Sequence, residues 1–205
     1  MRKIVRLFPF ARFVDLANGV TMVNVMLSFV VPLVAYLGLL SWAASLICLA
    51  AILDFVDGHI ARTRLAYHER CREFGKHLDS FADLLNFSCA PALLLFLLLP
   101  SLMAVIAGAA LVLSGVLRLA AFAIKDSNAP VGYSGLPTTY SGLLLALAFQ
   151  SVSAGRVEAA EVVVLVFIIA LLQITNVQFP KFKAMPTVSS IAVVFSISSL
   201  LLHYG

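Results

Sequence analysis

The chain has 205 residues, 62% hydrophobic and 12% charged, with a formal net charge of +4. A soluble domain is about 45–50% apolar and about 25% charged, so this surplus does not fit one water-soluble core, whereas a bilayer accepts it directly. The basic residues lie beside apolar segments without the interleaved aromatics of a single-strand binder, which argues for anionic lipid headgroups and against nucleic acid.

In chain order, residues 7–15 mix aromatic and basic side chains and read either as a short interfacial helix or as a frayed terminus. The basic start leads into a long apolar run without a small-residue cleavage site, the pattern of a retained first span. A hydrocarbon core of about 30 Å needs about 20 apolar helical residues. That measure predicts spans at 19–39, 41–61, 76–99, 102–124, 137–153, 159–177 and 185–203. The expected fold is therefore an all-α integral membrane bundle of six to eight transmembrane helices, seven by this count, forming one domain over residues 1–205. Cys48, Cys71 and Cys89 are odd in number and lack a C-x-x-C pair, so they read as small apolar fillers.

Loops that stay in the cytoplasm keep their Lys and Arg. With the N-terminus inside, Arg2, Lys3, Arg6, Arg12, Arg62, Arg64, Arg70, Arg72, Lys76, Lys125, Lys181 and Lys183 all fall on that side. Arg156 falls outside and Arg118 lies within the fourth span. This partition places the protein in the cell membrane with the ends of the second and third spans facing the cytoplasm.

Those ends carry the chemistry. Asp54, Asp57, Gly58 and Ala61 share one face of a helix, and Asp79 and Asp83 share a face of the next. Carboxylates in or near a bilayer are expensive, and four converging on one cleft need a compensating cation. An all-oxygen site favours a hard ion such as Mg²⁺, Mn²⁺ or Ca²⁺. The small residues Gly58, Ala61 and Gly75 admit a bulky ligand to the backbone, and with the adjacent Arg62 they suggest a metal-bound pyrophosphate. A cation transporter is the competing reading, but it calls for acidic residues spread along the spans.

These residues form the string D-x-x-D-G-x-x-A-R, then G-x-x-x-D-x-x-x-D, which resembles the signature of the CDP-alcohol phosphotransferases. Every fixed position is present: Asp54, Asp57, Gly58, Ala61, Arg62, Gly75, Asp79 and Asp83. The gap between the two halves, Thr63 to Phe74, is longer than is usual in the family. Further stretches resemble the phosphatidylserine synthase branch: residues 78–92, Leu117-Arg118-Leu119-Ala120, Gly135-Leu136-Pro137 and Phe179-Pro180-Lys181-Phe182-Lys183. Against that branch's pattern, Asn86 and Thr139 replace a serine and a proline, and Ala121-Phe122-Ala123 replaces R-F-N.

The resemblance implies transfer of a phosphatidyl group from CDP-diacylglycerol to the hydroxyl of L-serine, with release of CMP. It implies that Asp54, Asp57, Asp79 and Asp83 hold one or two Mg²⁺ or Mn²⁺ ions, with Asp83 also the candidate base. Gly58, Ala61, Arg62 and Gly75 would line the CDP site, and a homodimer is the expected assembly. A sister enzyme acting on glycerol 3-phosphate, inositol phosphate or another alcohol shares the same signature.

Lesser candidates surround this core. An unpaired guanidinium deep in a span costs at least about 2.5–3.5 kcal/mol. Arg118 therefore either binds an acceptor carboxylate through its bidentate fork, pairs with an aspartate, or snorkels. Lys125, at the same helix end, is a weaker candidate for the acceptor or a headgroup. Thr21 and Asn24, a turn apart on the first span, bond either the nucleotide or neighbouring helices.

Overall fold

The computed structural model describes residues 13–63, 69–124 and 133–179. Among them the regular structure is helical apart from one two-residue antiparallel pairing, Tyr133–Ser134 with Gln178–Phe179. The helices are α1 (Leu16–Tyr36), α2 (Leu40–Thr63), α3 (Glu69–Leu84), α4 (Ala90–Leu98), α5 (Leu102–Ala123), α6 (Thr138–Ser153) and α7 (Ala159–Ile174). A π turn, Leu85–Cys89, joins α3 to α4, so that Arg70–Leu98 runs as one rod. Six rods result.

Four of these, Leu16–Tyr36, Leu40–Thr63, Arg70–Leu98 and Leu102–Ala123, are long and apolar enough to cross a membrane. Helices α6 and α7 have 16 residues each; at 1.5 Å per residue that is about 24 Å, short of a hydrocarbon core of about 30 Å. The span expected at 185–203 and most of the expected interfacial helix at 7–15 lie outside the described residues. The third rod begins before position 76, because the polar stretch from Glu69 to Lys76 is made largely of good helix formers.

The central rod organises the bundle. Its π turn touches α1, α2, α5 and α6, while α1 packs on α2, α2 on α6, and α5 on α7. Phe87, Leu94, Leu95, Ile47, Leu111, Leu145, Phe149 and Ile169 form the fully buried interior. Met26, Phe29, Leu113 and Val164 point outward, as an apolar solvent requires.

Polar side chains also bridge the rods. Ser41 Oγ donates to Gln150 Oε1 (2.5 Å), and Asn86 Nδ2 donates to the Asn24 carbonyl (2.9 Å). Ser114 Oγ donates to Gln173 Oε1 (2.7 Å), whose amide donates on to Ser141 Oγ (2.8 Å). Such bonds hold helices together where lipid removes the hydrophobic driving force between them.

The start of α6 is strapped in the same way. Leu136 N donates to Leu172 O and Gly135 N to Val177 O, at 2.9 and 3.0 Å. Gly135 adopts φ 78° with its Cα against the Gln173 carbonyl, a place where any side chain would collide.

Candidate active site

The last turns of α2 and the body of α3 supply the carboxylates. One oxygen each from Asp54, Asp57 and Asp79 lie within 4.8 Å of one another. Asp83, one turn beyond Asp79, stands beside Asp54, whose carboxyl is within hydrogen-bonding reach of both α3 aspartates. The fourth aspartate thus borders the trio instead of completing a single ring.

Neighbouring helices orient these groups. From α1, Thr21 Oγ1 donates to Asp57 Oδ2 at 2.5 Å, with both residues buried. From the first turn of α6, Thr138 Oγ1 donates to Asp83 Oδ2 at 3.0 Å, and Thr139 Oγ1 to Asp54 Oδ2, more loosely, at 3.4 Å. Arg62 lies within electrostatic reach of Asp57 and Asp79, and Arg118 of Asp83.

Two guanidinium groups do not balance this cluster. Two carboxylates 4.8 Å apart repel by about 3–4 kcal/mol at an effective dielectric of about 20. Oxygens on one octahedral Mg²⁺ ion, each at about 2.0–2.1 Å from it, are about 2.9 Å apart when adjacent and about 4.2 Å when opposite, so the trio would draw closer together to share one. The donors are all oxygen, which suits a hard cation. Asp83 Oδ1, buried and without a hydrogen-bond partner, is the oxygen still open to a donor.

Two cavities meet at this cluster. The first, of about 320 Å³, is lined by Asp54, Phe55, Gly58, Arg62, Asp79, Ser80, Asp83, Arg118, Leu119, Phe122 and the residues Pro137, Thr138, Thr139 and Tyr140 that open α6. The second, of about 230 Å³, is lined by Ala17, Asn18, Thr21, Asp57, Gly58, Ala61, Arg62, Cys71, Arg72, Gly75, Lys76 and Asp79. Gly58, Arg62 and Asp79 belong to both.

The expected CDP-site residues Gly58, Ala61, Arg62, Gly75 and Thr21 are brought together in the second cavity, and Arg118 faces the first. Asn24 lines neither; its amide donates to Ala50 O (3.1 Å) and its carbonyls accept from Asn86, so it joins α1 to α2 and the π turn. Lys125 lies outside the described residues.

Sequence reasoning missed Thr138, Thr139 and Asn18. Asn18 donates to Phe13 O (2.8 Å) and lies so close to α3 that a Cβ on Gly75 would sit 2.5 Å from its Oδ1. Gly75 is therefore small because α1 crosses there. A polar residue one turn before Thr21 was the available signal for Asn18; the two threonines had none beyond the Gly135-Leu136-Pro137 punctuation.

A family model for CDP-alcohol phosphatidyltransferase matches residues 14–198. The chain belongs to this family. Among CDP-alcohol phosphatidyltransferases it is similar to the CDP-diacylglycerol–serine O-phosphatidyltransferase of Methanocaldococcus jannaschii, at 31% identity over 176 residues, covering 86% of this chain and 79% of the relative. It is also similar to the archaetidylserine synthase of Methanothermobacter thermautotrophicus, at 27% identity over 177 residues, covering 84% and 72%. A third relative, the CDP-diacylglycerol–serine O-phosphatidyltransferase of Bacillus subtilis, is 34% identical over 98 residues, 46% of this chain and 52% of the relative. All eight residues of the string, Asp54, Asp57, Gly58, Ala61, Arg62, Gly75, Asp79 and Asp83, line one or both of the two cavities.

Proposed function

We propose that the chain transfers a phosphatidyl group from CDP-diacylglycerol to the hydroxyl of L-serine, forming phosphatidylserine and releasing CMP at the cytoplasmic face of the cell membrane. The observation that carries this reading is the pair of cavities joined at Arg62 and Asp79, one holding Arg72 and Lys76, the other Asp83 and Arg118. Relatives named for a serine acceptor or a serine-lipid product, matched over 79% and 72% of their length, support the choice of acceptor.

Asp54, Asp57 and Asp79 would hold the divalent ion, Mg²⁺ or Mn²⁺, which when bound offsets charge on the pyrophosphate as a Lewis acid. In the second cavity, Arg72 and Lys76 meet the anionic CDP moiety, and the missing side chain of Gly75 keeps α1 and α3 close around it. Arg62 spans both cavities and faces the pyrophosphate between them.

In the first cavity Arg118 receives the serine carboxylate through its planar fork. Asp83 accepts the proton of the serine hydroxyl as general base, help that typically supplies about 10²–10⁴-fold. The serine oxygen forms its bond to the phosphatidyl phosphorus as the bond to the bridging pyrophosphate oxygen breaks, and CMP leaves with that electron pair. The transfer is direct.

A phosphorylated acceptor such as glycerol 3-phosphate calls for extra cations on the acceptor side. Among the described residues Arg62 and Arg118 are the cations lining the first cavity, while Arg72 and Lys76 line the other, an arrangement that favours a singly charged carboxylate. The basic residues of the loops support the cytoplasmic orientation, and the family resemblance supports a homodimer.

The test supplies purified protein with CDP-diacylglycerol, Mn²⁺ or Mg²⁺, and serine, glycerol 3-phosphate or inositol phosphate separately, and weighs the lipid products by mass spectrometry. Phosphatidylserine is expected, with loss on chelation. A product with another alcohol and none with serine refutes the acceptor.

A further inference from the structure

We propose that Thr138 is a positioning residue for the transfer, fixing one carboxylate oxygen of Asp83 so that the other takes the acceptor's proton. The inference rests on the reading of Asp83 as base and goes further by naming what aims it.

The Thr138 hydroxyl, buried at the first position of α6, donates to Asp83 Oδ2 at 3.0 Å. A hydroxyl has one proton to give, so this bond commits it. Asp83 Oδ1 is buried with no hydrogen-bond partner, and both residues line the first cavity. A carboxylate on a single Cβ–Cγ bond turns easily, because that terminal torsion is broad. With Oδ2 held by Thr138, the turn of the carboxylate is fixed beside Asp54 and Oδ1 is left as the oxygen without a donor.

Thr138 can hold Asp83 only if it is itself held, and the bundle does this. Ser141 Oγ donates to the Pro137 carbonyl (3.1 Å) while accepting from Gln173 Nε2 (2.8 Å), and Gln173 Oε1 accepts from Ser114 (2.7 Å). Together with the backbone bond from Leu136 to Leu172 (2.9 Å), this chain pins the opening of α6 to α5 and α7. Asp83 is thereby aimed by a frame built on three other helices.

The experiment compares Thr138→Val, which keeps the shape and removes the donor, with Thr138→Ser, which keeps the donor. Both are assayed in the full chain with CDP-diacylglycerol, Mn²⁺ and serine. A misaimed group can cost as much as about 10²-fold, so kcat of the Val variant should fall about 10- to 100-fold. Both KM values should stay within about 2-fold, the signature of an interaction made in the transition state. Thr138→Ser should restore most of the turnover.

Wild-type kcat in Thr138→Val overturns the proposal. So does a raised serine KM at unchanged kcat, which would make Thr138 an acceptor ligand, or a Ser variant as impaired as Val, which would make its role one of packing. If the Val variant does not fold, Thr138→Ala is judged by the same criteria. If the wild-type protein uses another alcohol, the acceptor assignment fails while the Thr138 comparison is decided with that alcohol.

Discussion

Replacing Thr21 by Val tests the contribution of its hydroxyl, which lies closer to Asp57 Oδ2 than to the Ala17 carbonyl (3.1 Å), to metal affinity. Thr21 and Asp57 are each 3% exposed, and the hydroxyl sits 2.5 Å from Asp57 Oδ2. Valine keeps the shape and the β-branch, so the helix and its packing persist while the donor disappears. A hydrogen bond to a charged group contributes about 1.5–3 kcal/mol, which corresponds to about 10- to 150-fold in an equilibrium constant. Removing a partner that orients a metal ligand typically weakens metal binding by about 10–100-fold, an independent estimate of similar size. The Mn²⁺ concentration for half-maximal CMP release should therefore rise about 10- to 100-fold, with kcat at saturating Mn²⁺ near that of the wild type. The assay is a Mn²⁺ titration of initial rate at saturating CDP-diacylglycerol and serine. An unchanged half-saturation point would refute the reasoning, because Asp57 would then hold its place without Thr21 or would not ligate the ion.

Other outcomes follow from the same geometry. Asp83→Asn should abolish CMP release while CDP-diacylglycerol still binds in a filter or calorimetric assay; near-normal turnover would remove Asp83 as base. Arg118→Ala should raise the KM for serine more than that for CDP-diacylglycerol, as two-substrate kinetics would reveal. Gly142→Ala would place a methyl against the buried Phe87 ring. That overpacking should cost about 1–3 kcal/mol, read as a lowered thermal midpoint in detergent.

The helical period made much of the site legible. Residues 54, 57, 58 and 61 recur at spacings of three and four, and 75, 79 and 83 at spacings of four, and the structure gathers them around the two cavities between α2 and α3. Thr138 and Thr139 were not legible, since they meet Asp83 and Asp54 from 55 and 85 residues away, and a hydroxyl in an apolar segment has no local signature. Asn24 shows the opposite difficulty: an amide in a span reads equally as ligand or tie, and only its donation to Ala50 and the bond from Asn86 separate the two. Hydropathy located the apolar rods but not the helical extension before position 76, because a helix continues into water wherever its residues favour it. The π turn was also invisible, for no residue type marks it.

The paired cavities have a kinetic consequence. Because each has its own lining and only Gly58, Arg62 and Asp79 are common to both, nucleotide-lipid and amino acid need not queue for one berth. On the proposed assignment of the two substrates each can arrive while the other is seated, and a ternary complex is the expected route. Double-reciprocal plots at several fixed serine concentrations should accordingly converge, whereas parallel lines would indicate that the phosphatidyl group is first parked on the protein.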